Sequence, residues 1–153
     1  MRGYTYHPKP GVSVARARGI EIPMSPKKTY EVLNAIRGLP VDRAQTFLED
    51  VVALRRAVPF RRYNQETAHK TGTGPGRYPK KVAQNVLKVL TNARENAEYE
   101  GLDTDRLVVR VAASSRGRIR KTSMPRAHGR ATAWHEQTTN VEIVLAELKE
   151  AGA

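Results

Sequence analysis

Apolar side chains recur at helical spacing in three stretches of the first hundred residues. Ser25-Pro26 predicts the start of the first helix, because a serine hydroxyl caps free N–H groups and proline fits the first helical position. This helix is expected to end at Gly38 or shortly after it, and a second helix to begin at Pro40 or Asp42. The apolar stripes of the two helices are Val32, Ala35, Ile36, Leu39 and Ala44, Phe47, Leu48, Val51.

The third predicted helix carries one continuous apolar stripe. Pro79 lies near its first turn, and Gly101 ends it because glycine readily adopts the left-handed conformation that follows many helices. Its core-facing positions are Ala83, Val86, Leu87, Leu90, Ala93 and Ala97.

Beyond Gly101 the apolar spacing changes from helical to alternating, which is typical of strands. The positions expected to face the core are Leu107, Val109 and Val111 in one strand and Val141, Ile143 and Leu145 in another. The two strands are expected to pair antiparallel, with residues 12–22 as a third strand. The whole chain, residues 1–153, is therefore predicted to be a single α+β domain with three helices packed on a small antiparallel sheet.

Residues 113–140, between these two strands, contain too few large apolar side chains to form core. Arg116, Arg118 and Arg120 alternate, so a regular strand would point all three to one face. Proline and glycine within residues 124–130 suit a turn. We therefore predict a long β-hairpin that protrudes from the domain, with an arm of about ten residues reaching roughly 33 Å. Because such a hairpin buries little, its order is expected to depend on a surrounding polyanion, and a disordered basic loop is the alternative in the free protein.

Basic residues are concentrated in three segments. The chain has 27 Lys and Arg against 15 Asp and Glu, a net charge of +12. Segments 1–30, 55–81 and 113–140 contain six, eight and six basic residues and one acidic residue each, so their net charges are +5, +7 and +5. A solvated face usually mixes both signs of charge. The distribution therefore favours a polyanionic partner, and nucleic acid is the first candidate.

The segment 55–81, the basic insertion, is predicted to be a loop within the domain. Its glycine-rich stretch, residues 71–76, lets a backbone lie close to phosphates, and the helix after Pro79 adds N–H groups and a favourable dipole. No Gly-Lys-Ser/Thr follows the glycines, so the stretch is not a nucleotide-binding P-loop.

Several classes of function find no support in the residues. The chain has no cysteine, which removes disulfides, thiolate metal sites and cysteine nucleophiles. No apolar run approaches the roughly 18 residues of a membrane span, and the first residues lack the apolar stretch of a signal peptide, so a cytoplasmic protein is predicted. The histidines, His7, His69, His128 and His135, lack metal-ligand spacing. We therefore expect neither an enzyme nor a metal, cofactor, membrane contact or self-association.

The chain resembles a known family through strings of residues that run along nearly its whole length. These strings are Ser25-Pro26-Lys27-Lys28, Ile36-Arg37-Gly38, Val58-Pro59-Phe60, His69-Lys70, Gly76-Arg77-Tyr78-Pro79, Asn96-Ala97-Glu98-Tyr99 and Pro125-Arg126-Ala127-His128-Gly129-Arg130-Ala131. The last string is the most specific. The family is the universal large-subunit ribosomal protein called L-twenty-two in bacteria and L-seventeen in eukaryotes, and the insertion is similar to the archaeal and eukaryotic branch. His128 departs from the pattern, which has Met or a basic residue there.

The resemblance implies a structural component of the large ribosomal subunit that binds large-subunit ribosomal RNA (rRNA). It implies a globular part near the exit of the nascent-peptide tunnel and a hairpin that runs inward near ribosomal protein L-four. The hairpin tip is implied to line the tunnel and meet the nascent peptide; it consists of Met124, Pro125, Arg126, Ala127, His128, Gly129 and Arg130. The predicted rRNA-binding residues are Arg16, Arg18, Lys27, Lys28, Arg61, Arg62, His69, Lys70, Arg77, Tyr78, Lys80, Lys81, Arg116, Arg118, Arg120, Lys121, Arg126, Arg130 and Trp134.

Two alternatives stay open from the residues alone. A basic nucleoid or other DNA-binding protein has the same composition, because DNA and RNA both present phosphates; the lack of a helix-turn-helix or zinc-finger pattern speaks against it. Tyr78 and Trp134 are candidates for stacking on bases, and packing against the protein's own core is an equal alternative.

Overall fold

The computed structural model describes residues 3–8, 12–62 and 64–147. The helices within these ranges are α1 Pro26–Ile36, α2 Val41–Val52 and α3 Lys80–Tyr99. The strands are β1 Val14–Ile22, β2 Val58–Pro59, β3 His69–Lys70, β4 Gly74–Arg77, β5 Leu107–Pro125 and β6 Ala131–Glu147. The predicted α+β class, with its helices, antiparallel sheet and protruding hairpin, is confirmed.

β6 is the central strand of the main sheet, whose order is β1-β6-β5 with both neighbours antiparallel. On one face, Val141, Ile143 and Leu145 enter the main core together with the helices. On the other face, Val144 and Ala146 enter a smaller apolar cluster that the N-terminal residues cover. Both faces of this end of β6 are therefore buried, which explains its nearly continuous apolar run.

The prediction that Val111 faces the main core is wrong. Val109 pairs with Leu145, but Val111 pairs with Val144, the very next residue on β6. β5 therefore has one extra residue at this point, a β-bulge, which reverses the alternation of its side chains. Val111 consequently joins the smaller cluster, and Ala112 takes its place in the main core.

The helices cover the core face of the main sheet, as their stripes predict. α3 packs against α2 and β1, while α1 packs against β5. Leu33, Leu48 and Leu90, one from each helix, are buried almost completely. Burying a side chain of this size stabilises the fold by about 1.5 to 3 kcal/mol. The hydrophobic effect at these stripes therefore fixes where the sheet and its long hairpin lie relative to the helices.

The helix ends agree with the sequence except in one detail. Gly101 follows α3 with a φ of 74°, so that its N–H donates to the carbonyl O of Glu98 while the N–H of Leu102 donates to that of Ala97. Ser25 precedes Pro26 at the start of α1, but its side chain makes no capping hydrogen bond. The hydroxyl expected to cap the helix is therefore not used.

The basic insertion contains a second sheet, of order β2-β4-β3, where only a loop was expected. The N–H of Phe60 donates to the carbonyl O of Pro75 at 2.9 Å, and that of Gly76 to Ala68 at 3.2 Å. At Gly76 a side chain would come within 3.3 Å of the carbonyl O of Val58. Strands this short, with proline and glycine in them, show no alternating pattern, so composition alone could not reveal them.

The hairpin formed by β5 and β6 extends the main sheet to a pair between Pro125 and Ala131. Its tip turns through Ala127–Gly129, where His128 has a φ of 58°. The N–H of Arg126 donates to the carbonyl O of Arg130 at 2.7 Å and closes the turn. No residue from 118 to 137 is buried. The limits 113–140 for the hairpin, and 1–153 as one domain with an insertion, stay a prediction.

Candidate nucleic-acid interface

A second bulge in β5 lies at the base of the hairpin and corrects the predicted row of arginines. The pairs on either side of it are Arg116 with Thr139 and Ile119 with Gln137. β5 thus has one residue more than β6 between these pairs, and its side chains change phase. Because paired residues share a face, Arg118 and Arg120 lie on one face and Arg116 lies on the other. The three arginines therefore point to both sides of the hairpin.

Gly117 lies in this bulge, where Thr138 leaves no room for a side chain. The hydroxyl of Thr138 donates to the carbonyl O of Arg118 at 2.8 Å, and a methyl group on residue 117 would collide with that hydroxyl. We expect Gly117→Ala to destabilise the protein by about 1 kcal/mol and to speed amide hydrogen exchange at the hairpin base. Gly3→Ala is the control, because nothing lies within 4 Å of its added methyl group. Unchanged exchange in Gly117→Ala would show that the close contact is unimportant.

The cations of the hairpin are exposed, and carboxylates of the protein neutralise them only weakly. Arg118 lies 3.8 Å from Glu21 and Arg120 lies 3.6 Å from Glu136, with the two arginine side chains 80% and 76% exposed. Exposed ion pairs contribute only about 0 to 1 kcal/mol, so a phosphate can readily replace the carboxylate. The other cations of the hairpin have no carboxylate at ion-pair distance among the residues that the structure describes; they are Arg116, Lys121, Arg126 and Arg130.

Two arginines of the globular part, Arg94 and Arg55, are paired more closely. Arg94 lies 3.3 Å from Asp42 and 3.8 Å from Glu98, and Arg55, just after α2, lies 2.8 Å from Asp50. Carboxylates of α2 and α3 therefore pair with arginines of the globular part, while the hairpin keeps most of its positive charge for another molecule.

A small pocket of about 240 Å³ lies between α1, the basic insertion and the base of β5. The Arg62 guanidinium lies 5.1 Å from the centre of the Tyr30 ring, and the backbone N–H of Arg62 donates to the Glu31 carboxylate at 2.8 Å. Lys27 and Arg116 also line this pocket. The fold thus brings together predicted interface residues from three distant parts of the sequence.

The basic insertion holds two of its cations over aromatic rings of its own. The ammonium of Lys70 lies 5.6 Å from the Tyr78 ring centre, and the guanidinium of Arg77 lies 5.8 Å from that of Phe60. These contacts orient the cations without neutralising them. Further predicted interface residues are exposed on α1, on the insertion and at the start of α3. They are Lys28, Arg61, His69, Lys80 and Lys81.

The aromatic candidates Tyr78 and Trp134 lie at the surface. Trp134 is 51% exposed on β6, and its carbonyl O accepts a hydrogen bond from the hydroxyl of Thr122 on β5. Tyr78 is 36% exposed. Neither ring belongs to the core clusters of the described chain. Core packing therefore does not account for either residue, and both rings present area on which a base can stack.

Arg16 and Arg18 on β1 are engaged by the N-terminal segment, residues 3–8. The guanidinium of Arg16 lies 4.9 Å from the centre of the Tyr4 ring, and Arg18 donates to the carbonyl O of Gly3 at 2.9 Å. Both arginines are half-buried. They therefore hold this segment against the sheet as well as contributing positive charge.

Glu142 anchors the same segment, and sequence reasoning missed it. Its carboxylate accepts hydrogen bonds from the backbone N–H groups of Thr5 at 3.0 Å and Tyr6 at 3.1 Å. Burial acts to raise the pKa of Glu142, but these hydrogen bonds and the charge of Arg18 outweigh it, so the pKa lies below its ordinary value. Its partners are 137 and 136 positions away, so no local pattern could have revealed them.

Other kinds of site find no geometry in the described ranges. Nowhere in them do three His, Asp or Glu side chains cluster closely enough to hold a metal ion. The helices there are too short or too polar to cross a bilayer.

The fold and interface define a class of small, basic α+β proteins that display a cationic hairpin, and comparison with known proteins identifies the family. Residues 17–146 match the family described as ribosomal protein L22p/L17e. Large ribosomal subunit protein uL22 of Methanothrix thermoacetophila is 48% identical over 152 residues, covering 97% of this chain and all of that protein. The uL22 proteins of Archaeoglobus fulgidus and Methanopyrus kandleri are 46% and 44% identical, covering 92% and 83% of this chain and 93% and 82% of their own lengths.

The chain therefore belongs to the ribosomal protein L22p/L17e family. Membership confirms the resemblance seen in its motifs, including the similarity to archaeal members. It also confirms that the chain has a structural role in the ribosome, takes part in translation in the cytoplasm and is not an enzyme.

Proposed function

We propose that this protein is a structural component of the large ribosomal subunit and binds large-subunit rRNA through its hairpin, basic insertion and α1. The observation that carries the proposal is the hairpin itself, whose residues 118–137 include no buried side chain. A strand pair this long buries too little surface to be stable alone in water. A surrounding polyanion supplies the missing contacts and neutralises its cations.

The interface residues have three roles in this proposal. Cations on both faces of the hairpin contact phosphates on two sides, because the bulge at Gly117 directs Arg116 away from Arg118 and Arg120. The pocket lined by Tyr30, Arg62 and Arg116 receives RNA at the base of the hairpin. Exposed rings on the insertion and on β6 stack on bases. Binding therefore depends on RNA shape and on counterion release rather than on reading a regular groove.

The family suggests where the protein lies in the subunit. The globular part is proposed to lie near the exit of the nascent-peptide tunnel, with the hairpin running inward beside a protein of the L-four family. Arg116 to Pro125 are ten residues, so one arm spans roughly 33 Å at the rise of a strand. That length lets the turn at Ala127–Gly129 reach the tunnel wall and meet the nascent peptide.

A binding comparison tests the proposal. At matched ionic strength the protein should bind a transcript of large-subunit rRNA at least about 10³-fold more tightly than duplex DNA of equal length. This factor is the lower end of the range by which specific nucleic-acid binding exceeds non-specific binding. Binding should weaken steeply with added salt. Equal affinity for the two would contradict the proposal and favour a DNA-binding protein instead.

A further inference from the structure

We propose that a cleft at the base of the hairpin binds a single unstacked nucleotide of RNA. The cleft has a volume of about 960 Å³ and lies between the N-terminal segment, the end of β1 and the second bulge of β5. The proposal rests on the proposed rRNA binding and adds the kind of group that this part of the surface takes.

The cleft forms because β1 separates from β6 near its end. Their regular pairing stops at Gly19 and resumes only at Ile22, with Glu21 at a φ of 52°. The side chain of Asn140 accepts the N–H of Glu21 at 2.8 Å and holds this conformation. A glutamate at positive φ is strained, and such strain persists only where the surrounding structure maintains it. The opening is therefore a fixed feature of the fold.

The lining matches the two parts of a nucleotide. Arg18 and Arg118 line the cleft with their positive charge; Glu21 lines it too, 3.8 Å from Arg118, and a phosphate can replace this exposed carboxylate. Ile20, 65% exposed, and Tyr4 add apolar and aromatic surface to the same cleft. A free anion needs only the arginines, whereas a base needs flat apolar surface as well. Because bases within a duplex are already stacked, the cleft selects an unpaired nucleotide.

Replacing Ile20 with alanine tests this proposal. The variant removes apolar surface from the cleft without changing any charge, and because Ile20 is largely exposed the fold should be unaffected. Leu54→Ala is the matched control, since Leu54 is 55% exposed just after α2, outside the hairpin and the basic insertion, and does not line the cleft. The probes are a short polyuridylate and an RNA duplex of the same length, titrated into the full chain at one ionic strength. We expect Ile20→Ala to weaken polyuridylate binding by about threefold to tenfold, with duplex binding and the Leu54→Ala variant unchanged.

Several outcomes would overturn the proposal. One is an equal loss of polyuridylate affinity in the two variants, and another is an equal loss of affinity for duplex and single strand in Ile20→Ala. Displacement of polyuridylate by inorganic phosphate to the same extent in wild-type and Ile20→Ala protein would show an anion site only. If wild-type protein binds rRNA but shows one of these results, the cleft inference alone fails. If wild-type protein does not bind rRNA, the proposed function itself fails.

Discussion

Replacing Arg116, Arg118 and Arg120 together with alanine is expected to make rRNA binding markedly less sensitive to salt. Each phosphate contact contributes about 0.9 to the slope of log affinity against log salt concentration on a duplex, and about 0.7 on a single strand. Loss of three contacts should therefore reduce the slope by about 2 to 3. Filter-binding titrations of a large-subunit rRNA transcript at several salt concentrations measure this slope.

The ion pairs of these arginines should not prevent the effect. Arg118 and Arg120 lie more than 3.5 Å from Glu21 and Glu136, in side chains that are mostly exposed. Water and salt already screen such pairs. A phosphate that replaces either carboxylate forms a new ion pair with the arginine, and the ion pair lost in exchange is weak. Each arginine should therefore count as about one phosphate contact.

The matched control is the triple variant of Arg43, Arg94 and Arg106 to alanine. It removes the same formal charge, but these arginines lie on α2, on α3 and just before β5, outside the hairpin, the basic insertion and α1. Its salt slope should stay close to that of the wild type. An equal reduction in both triple variants would mean that net charge alone drives binding, and no reduction in the hairpin variant would mean that the hairpin does not contact phosphate.

The helices and the two long strands could be predicted because each is encoded locally. Helical stripes end at glycine or proline, and the glycine at position 101 takes the φ of 74° that its place after a helix requires. The alternation in β6 survives because the extra residues of both bulges lie in β5, so Val141, Ile143 and Leu145 stay on one face. Helical and alternating patterns were sufficient to predict which side chains face the core wherever no bulge interrupts the strand.

Bulges are the reason why two predictions about facing residues were wrong. The extra residues near Arg110 and Gly117 change the phase of β5, so Val111 leaves the main core and Arg116 leaves the face of Arg118. A bulge depends on what lies opposite it, such as the hydroxyl of Thr138 against Gly117. Residue type along one strand carries no trace of that contact.

The interface could be predicted in charge but not in geometry. Composition located the basic segments, since charge is a property of residues and needs no fold. The pocket around Glu31, with Arg62 on one side and Arg116 on another, depends on contacts between segments far apart in the chain. The same holds for the cleft beside Ile20. Long-range packing decides which cations converge, and no local pattern encodes it.

Glu142→Ala is expected to lower the free energy of unfolding by about 2 to 3 kcal/mol. The change leaves the N–H groups of Thr5 and Tyr6 without their acceptor and removes the negative charge beside Arg18. Hydrogen bonds to a charged group contribute about 1.5 to 3 kcal/mol, and partial rehydration of the exposed N-terminal segment offsets some of the loss. Urea unfolding at neutral pH measures the difference. Glu66→Gln, which removes one exposed carboxylate, is the control.

The contribution of Glu142 should also depend on pH in a defined direction. Because its pKa in the folded protein lies below the ordinary value of 4.5, the unfolded chain takes up the proton first as the pH falls. The stabilisation is therefore fully present above pH 4.5 and is lost as the pH falls through the lowered pKa of the folded state. Glu142→Gln cannot ionise, so its stability deficit relative to the wild type should shrink steadily over this range. A deficit that stays constant from neutral to acidic pH would show that the carboxylate charge does not hold the N-terminal segment in place.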